Sequence, residues 1–292
     1  PYSGFVSDTA PPPSSVCVFG LGIIGSRAAD HLGAAGYPLT TWNRTPKERP
    51  EFEADAMAAA QGAETLVLYL KDVPAVRSVC TTIAPALGPG KRLVNHATID
   101  LDTTAWLEAL CQDAGCGFLN APFTGSKMAA AAGELVYYAG CDAEKLEPQL
   151  PLLEATSKSV LPVGSAANAT VIKLVTNLIS ASTVQALSEA LCISGACGVA
   201  PDTLLAAVQS NACGSPLASM KIPAMASGDF DPHFSLANML KDARYALDLA
   251  SRHGIDPPGI QETAARMQDL ADAGFGDLDF SVLARQFDHH ES

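Results

Sequence analysis

Six residues, Gly20-Leu21-Gly22-Ile23-Ile24-Gly25, constrain what this chain can fold into more than any other stretch. Three glycines at this spacing arise by chance, and a tight strand-to-helix turn alone would explain them. The surroundings decide. Ser15-Val16-Cys17-Val18-Phe19 is a short apolar run that reads as a buried parallel strand. From Ile24 to Ala35 the apolar spacing turns helical, Gly36 stops it, and Leu39-Thr40-Thr41-Trp42-Asn43 reads as a second strand. Strand, glycine turn, helix and strand within about thirty residues make one βαβ unit. In that setting Gly20 permits the tight turn, Gly22 lets the backbone approach a pyrophosphate, and Gly25 lets helix and strand pack closely. The helix N-terminus then directs N–H groups at the phosphates. The loop, including Leu21, Ile23 and Ile24, is a candidate dinucleotide site.

The end of the second strand selects the dinucleotide. A free ribose 2′-hydroxyl calls for Asp or Glu about 20 residues beyond the glycines. Here Asn43-Arg44-Thr45 stands instead. A carboxylate would repel a 2′-phosphate, whereas Asn43 and Thr45 can donate hydrogen bonds. Arg44 offers a planar cation for phosphate and adenine, and Lys47 adds charge. Arg44 as an ordinary surface arginine is the weaker reading, so the expected cofactor is NADP(H).

Further strand patterns at Leu66–Leu70, Arg92–His96, Gly117–Asn120 and Leu135–Ala139 alternate with helical ones. The expectation is a doubly wound, mostly parallel α/β sheet over residues 15–164. From residue 165 to 292 the pattern becomes all-helical. A long helix is expected over about residues 168–195, then helices at Pro201–Gln209, Ala237–His253, Ile260–Ala273 and Ser281–Gln286. Residues 1–14, with Pro11-Pro12-Pro13, read as a flexible leader without a signal peptide's basic start.

A net charge of −13 argues against broad nucleic-acid or anionic-membrane binding, which wants basic patches. The longest apolar stretch, Leu178–Ala200, is interrupted by polar side chains and reads as buried helix rather than a membrane span. Eight cysteines without a C-x-x-C pair read as reduced thiols of a cytoplasmic protein, and no metal site is expected. Trp42 and Trp106 read as packing residues, and Asp100 and Asp102 as caps of a helix over Thr103–Ala114. His96 is placed to approach the site.

Lys173 and Asn177 are four residues apart on the expected long helix and share a face. A lysine within Val171-Ile172-Lys173-Leu174-Val175 is unusual, because buried lysines are rare unless paired or functional. Burial depresses a lysine pKa toward the range that suits proton transfer. From spacing alone, a lysine on the helix's polar stripe is the stronger reading.

Together the glycine loop, Asn43-Arg44-Thr45, Ala121-Pro122-Phe123-Thr124-Gly125-Ser126, and Lys173 with Asn177 resemble the β-hydroxyacid dehydrogenase family, related to 6-phosphogluconate dehydrogenase. Thr124-Gly125-Ser126-Lys127 and Gly276-Asp277-Leu278-Asp279-Phe280-Ser281 look like its glyoxylate/succinic semialdehyde reductase branch. The resemblance implies a Rossmann domain, a long interdomain helix and a helical domain that forms a homodimer. It implies Lys173 as catalytic lysine with Asn177 beside it, and Thr124, Gly125 and Ser126 as the hold on a substrate carboxylate. It also implies Thr98 near the nicotinamide ribose, Leu70 and Lys71 along the cofactor, and Lys241 closing over cofactor and substrate. The implied reaction is NADPH-dependent reduction of a small anionic aldehyde to the hydroxyacid. Three alternatives stand beside it: a 3-hydroxyisobutyrate-type dehydrogenase, an imine reductase, and a non-catalytic NADP-binding interaction protein. Lys173 counts against the last two. The sequence departs from the family in having Asn120 for the frequent Asp, and Ala167 and Ala169 in place of glycines.

Overall fold

In the computed structural model, residues 14–142 and 146–287 are described. Most of the expected leader, and the tail histidines His289 and His290, lie outside them. Five short strands, β1 (Val16–Phe19), β2 (Leu39–Trp42), β3 (Thr65–Leu68), β4 (Arg92–Asn95) and β5 (Gly117–Asn120), form one all-parallel sheet in the order β2-β1-β3-β4-β5. Every residue of β1 and β3 is buried, as befits strands covered on both faces. The covering helices are α1 (Ile23–Ala34), α2 (Ala56–Gln61), α3 (Val73–Ile83) and α4 (Leu101–Ala114). Asp72 and Asp100 cap α3 and α4 by accepting from Ala75 N and Thr103 N. Asp102, expected to help with capping, instead takes a bidentate ion pair from Arg252 on the helical domain.

The strand at Leu135–Ala139 (β7) does not continue this sheet. It pairs antiparallel with β6 (Phe123–Thr124) and parallel with β8 (Ser157–Pro162) in a second, three-stranded sheet. Its burial alternates, with Leu135, Tyr137 and Ala139 inside, because one face is covered by protein and the other only partly. Between β6 and β7 lies α5 (Lys127–Ala131), and α6 (Leu150–Glu154) precedes β8.

The expected long helix is α7 (Ala166–Ala196), 31 residues, capped by Ser165 accepting from Asn168 N. Against it pack α9 (Pro216–Ser227), α10 (Leu236–Arg252) and α11 (Pro258–Leu270), while α8 (Pro201–Gln209) packs chiefly on α9 and sets Leu205 and Val208 against the same core. The α9 helix is additional to the helices expected from the sequence, and it holds two prolines. Pro216 sits in the first turn, where its missing N–H is harmless, and Pro223 is accommodated inside the helix. The C-terminal segment ends in a 3-10 helix at Phe280–Phe287. By length and composition α7 could cross a membrane. Here it is the central rod of the domain: Ala181, Val184 and Leu187 form a core with Ile222, Met239, Leu240, Met267 and Val282.

A fully buried ion pair anchors the start of α10. Lys221 Nζ lies 2.6 Å from Asp279 Oδ1 and 4.6 Å from the centre of the Phe280 ring. Asp279 Oδ2 accepts from the backbone N–H of His233 and Phe234, and Oδ1 also from the N–H and hydroxyl of Ser281. Burial alone would raise this carboxyl's pKa, but Lys221 and Ser281 more than offset it and hold the group below its ordinary value.

Candidate active site

A cleft of about 1030 Å³ opens at the carboxyl ends of β1, β3 and β4, where the strand order reverses. Its floor is the glycine loop. Gly20 has φ +102, and a Cβ there would stand 2.4 Å from the Tyr69 carbonyl oxygen. A Cβ on Gly25 would stand 1.9 Å from the Gly20 oxygen, so close packing of α1 on its strand requires glycine. Gly22 differs: nothing lies within 4 Å of where its Cβ would be. It caps α1 with no side-chain hydrogen bond, so open space meets a bare helix start. This cradle fits a pyrophosphate.

Gly20, Gly22, Ile23, Ile24, Gly25, Asn43, Arg44, Thr45, Leu70, Lys71, Thr98, Gly125 and Lys241 all line the cleft. Leu21 does not. Its side chain is buried, and its N–H donates to Asn43 Oδ1 at 3.0 Å. Asn43 Nδ2 donates to the Thr45 carbonyl at 2.8 Å. Asn43 therefore ties the end of β2 to the glycine loop and keeps one amide hydrogen for a ligand. Arg44 and Thr45 are exposed at the cleft's edge. Thr124 and Ser126 flank Gly125 outside the lining residues. Ser126 Oγ accepts from Ala129 N as the cap of α5, so its hydroxyl hydrogen remains available.

Lys173 and Asn177 lie one layer behind the cleft, each 7% exposed. Lys173 Nζ donates to Asn177 Oδ1 at 3.1 Å, and Asn177 Nδ2 donates to Asp242 Oδ2 at 2.6 Å. Lys241 Nζ donates to Asp242 Oδ1 at 2.5 Å and reaches the Thr98 carbonyl at 3.5 Å. One chain of contacts thus runs from α7 through α10 to the loop after β4. Burial pushes the Lys173 ammonium down to about 8, with Asp242 opposing the shift and Lys241 reinforcing it. Toward the cleft, Lys173 Nζ lies 5.8 Å from the centre of the Phe123 ring.

Asn120 holds the start of α7. Its Nδ2 donates to the Ala166 carbonyl and to Thr170 Oγ1, its Oδ1 accepts from Asn95, and Thr170 in turn meets Thr104 at 2.7 Å. A carboxylate at position 120 has no hydrogen to give Ala166, so the departure from Asp matches the surroundings here. Of the two alanine departures, Ala167 is exposed and Ala169 is fully buried in the first turns of α7.

His96 does reach the cleft, but as a neutral group. Its ring packs 4.7 Å from Tyr69 and 4.5 Å from Tyr137, and its Nδ1 donates to the Ala121 carbonyl at 2.6 Å. Burial pushes its pKa down to about 4. Sequence reasoning passed over Asp242, the carboxylate that joins Asn177 to Lys241. The available signal was a charged residue three positions after Met239 and four before Ala246, on the buried face of α10.

The comparisons with known proteins agree with this arrangement. Residues 15–164 match the family described as the NAD binding domain of 6-phosphogluconate dehydrogenase, and residues 167–287 that described as NAD-binding of NADP-dependent 3-hydroxyisobutyrate dehydrogenase. Glyoxylate/succinic semialdehyde reductase 1 of Arabidopsis thaliana is 29% identical, the match covering 90% of this chain and 95% of that protein. Chloroplastic glyoxylate/succinic semialdehyde reductase 2 of the same plant is 30% identical, with 92% and 78% covered. The solved 3-hydroxyisobutyrate dehydrogenase of Mycobacterium tuberculosis with L-serine superposes with a TM-score of 0.86 at 24% identity, covering 94% of this chain and 99% of that one. The chain belongs to the 6-phosphogluconate dehydrogenase-related family of β-hydroxyacid dehydrogenases, oxidoreductases that act on CH–OH groups with a nicotinamide dinucleotide.

Proposed function

We propose that this enzyme uses NADPH to reduce a small carboxylate-bearing aldehyde, of the glyoxylate or succinic semialdehyde type, to the hydroxyacid. The observation that carries the reading is the buried Lys173, held by Asn177 with its pKa near 8, directly behind a cleft floored by a dinucleotide cradle. The bound NADPH supplies the hydride. Lys173 hydrogen-bonds the carbonyl oxygen and gives its proton to the developing alkoxide, combining acid catalysis with charge stabilisation. Asn177 fixes the ammonium, and Asp242 fixes Asn177. Thr124, Gly125 and Ser126 hold the substrate carboxylate, with Gly125 allowing close approach and Ser126 keeping a hydrogen to donate. Leu70, Lys71, Thr98 and Lys241 enclose the nicotinamide half, and Asn43, Arg44 and Thr45 take the 2′-phosphate.

The test is a panel of glyoxylate, succinic semialdehyde, methylglyoxal and simple imines, each with NADPH and NADH. Oxidation of NADPH by the two carboxylate aldehydes supports the reading, and a preference for imines or complete inactivity removes it. A 3-hydroxyisobutyrate-type activity is the second reading, favoured by the match of residues 167–287 and by the superposition. Faster oxidation of 3-hydroxyisobutyrate than reduction of either aldehyde would select it. For Arg44→Ala we expect NADPH binding to weaken roughly 10- to 100-fold, the scale of a lost charge-assisted contact, with NADH binding unchanged. Equal effects on both cofactors would take the 2′-phosphate away from Arg44.

The same proposal includes a homodimer through the helical domain. Ile179 and Ile193 are 61% and 65% exposed on α7 and fall on one face with the exposed Ala186 between them, seven residues from each. Sedimentation should give twice the chain mass, and Ile179→Glu with Ile193→Glu should halve it. A wild-type monomer would refute the assembly.

A further inference from the structure

Phe123 occupies an unusual place. It begins β6, opposite Tyr137 in register, so the pairing of the second sheet fixes its backbone. Its ring lies 6.1 Å from Tyr69 and 5.8 Å from the ammonium of Lys173. The ring lines the cleft and Lys173 does not. The partner that grips Lys173, Asn177, is itself buried and is held by the cleft-lining Asp242. A carbonyl that approaches Lys173 from the Phe123 side of the cleft meets this ring first.

We propose that Phe123 is a specificity-determining residue: its ring screens the Lys173 ammonium from the cleft and limits the enzyme to slim aldehydes, unbranched beside the carbonyl. This deepens the reductase reading and rests on it. An aldehyde carbon next to CH₂ or directly bonded to a carboxylate passes the ring edge. A branched or aromatic carbon at that position meets the ring, which packs against Tyr69 on one side and whose backbone is held in the strand pairing. The ring face also lies toward a cation, a contact that favours the protonated lysine while the ring excludes water from it. Both effects need an aromatic or bulky side chain at position 123, and both vanish with a small one.

The experiment compares wild type with Phe123→Val and Phe123→Leu, each checked for unchanged thermal unfolding. The first readout is the ratio of kcat/KM for 4-carboxybenzaldehyde to that for glyoxylate. Phe123→Val should raise this ratio tenfold or more, the range that hydrophobic pocket contacts command, and Phe123→Leu should raise it less. The second readout needs no turnover: the rate at which the bulky aromatic reagent trinitrobenzenesulfonate arylates Lys173, mapped by mass spectrometry against the exposed Lys71. Lys173 should react slowly with this wide reagent in the wild type and several-fold faster in Phe123→Val, with Lys71 unchanged. An unaltered Lys173 labelling rate overturns the screen, whatever the enzyme reduces. Accelerated labelling with an unaltered aldehyde ratio overturns the size limit. A wild type that reduces no carbonyl compound at all defeats the reductase reading, and the labelling rate then still decides whether Phe123 screens Lys173.

Discussion

Lys173→Met should reduce kcat for aldehyde reduction by about a thousandfold, within the 10²–10⁴ range attributed to a positioned general acid, while leaving NADPH binding intact. The separation follows from the architecture. Lys173 stands on α7, and the cradle for the dinucleotide stands on the glycine loop and the end of β2. Stopped-flow measurement of NADPH oxidation beside fluorescence titration of NADPH binding resolves the two quantities. If binding falls as steeply as turnover, the lysine serves the cofactor rather than the carbonyl. The pH dependence carries a sign. Burial sets the Lys173 pKa near 8, so reduction, which needs the ammonium, should decline as pH rises through about 8. Oxidation of the hydroxyacid needs the free amine and should rise over the same interval. Stability shows the same group from the other side. The folded pKa is below the ordinary 10.5, so the buried ammonium costs stability at pH values below 8. That cost is relieved as pH climbs from about 8 to about 10.5, because the unfolded chain then binds the extra proton. Lys173→Met should remove this component of the stability profile.

Asp279→Ala should destabilise the helical domain by about 3–5 kcal/mol, the usual consequence of removing one partner from a buried ion pair. Lys221 would keep its charge in a site where its side chain is 3% exposed, and the backbone N–H groups of His233 and Phe234 would lose their acceptor. Chemical denaturation measures the loss. The substrate should register it as well, since His233 and Phe234 line the cleft: KM for the aldehyde should rise more than kcat falls in the fraction that remains folded. A double substitution, Lys221→Met with Asp279→Leu, removes both charges and should recover much of the stability without restoring the loop's hydrogen bonds. Unchanged unfolding of Asp279→Ala would show that the pair carries no net stability.

The parts that proved legible in the sequence were those governed by local rules. The glycine loop declared its turn, strand β1 declared its burial by being wholly apolar, and the helical spacing without proline over residues 168–195 bounded α7 within two residues at either end. The second sheet was hidden for a physical reason. Leu135-Val136-Tyr137-Tyr138-Ala139 is apolar at every position, so the alternation that marks a strand covered on one side leaves no trace in composition. Strand β8, Ser157–Pro162, is largely exposed and carries few apolar residues, so only its partner β7 makes it a strand. Helix α9 forms although Pro223 lies inside it, because packing against α7 outweighs local propensity. At the site, Lys173 with Asn177 could be paired by spacing. Their junction with Asp242 spans 65 positions and belongs to the tertiary fold alone.

The run of contacts from Lys173 through Asn177, Asp242 and Lys241 to the Thr98 carbonyl has a consequence for the whole molecule. Its last link crosses from the helical half to the dinucleotide-binding half. A separation of the halves that broke this link would free Lys241 and alter the charge facing Lys173. By thermodynamic reciprocity, whatever alters the proton affinity of Lys173 on opening must also bias opening when Lys173 changes its protonation state. The protonation of Lys173 and any such separation of the halves would then be one coupled equilibrium.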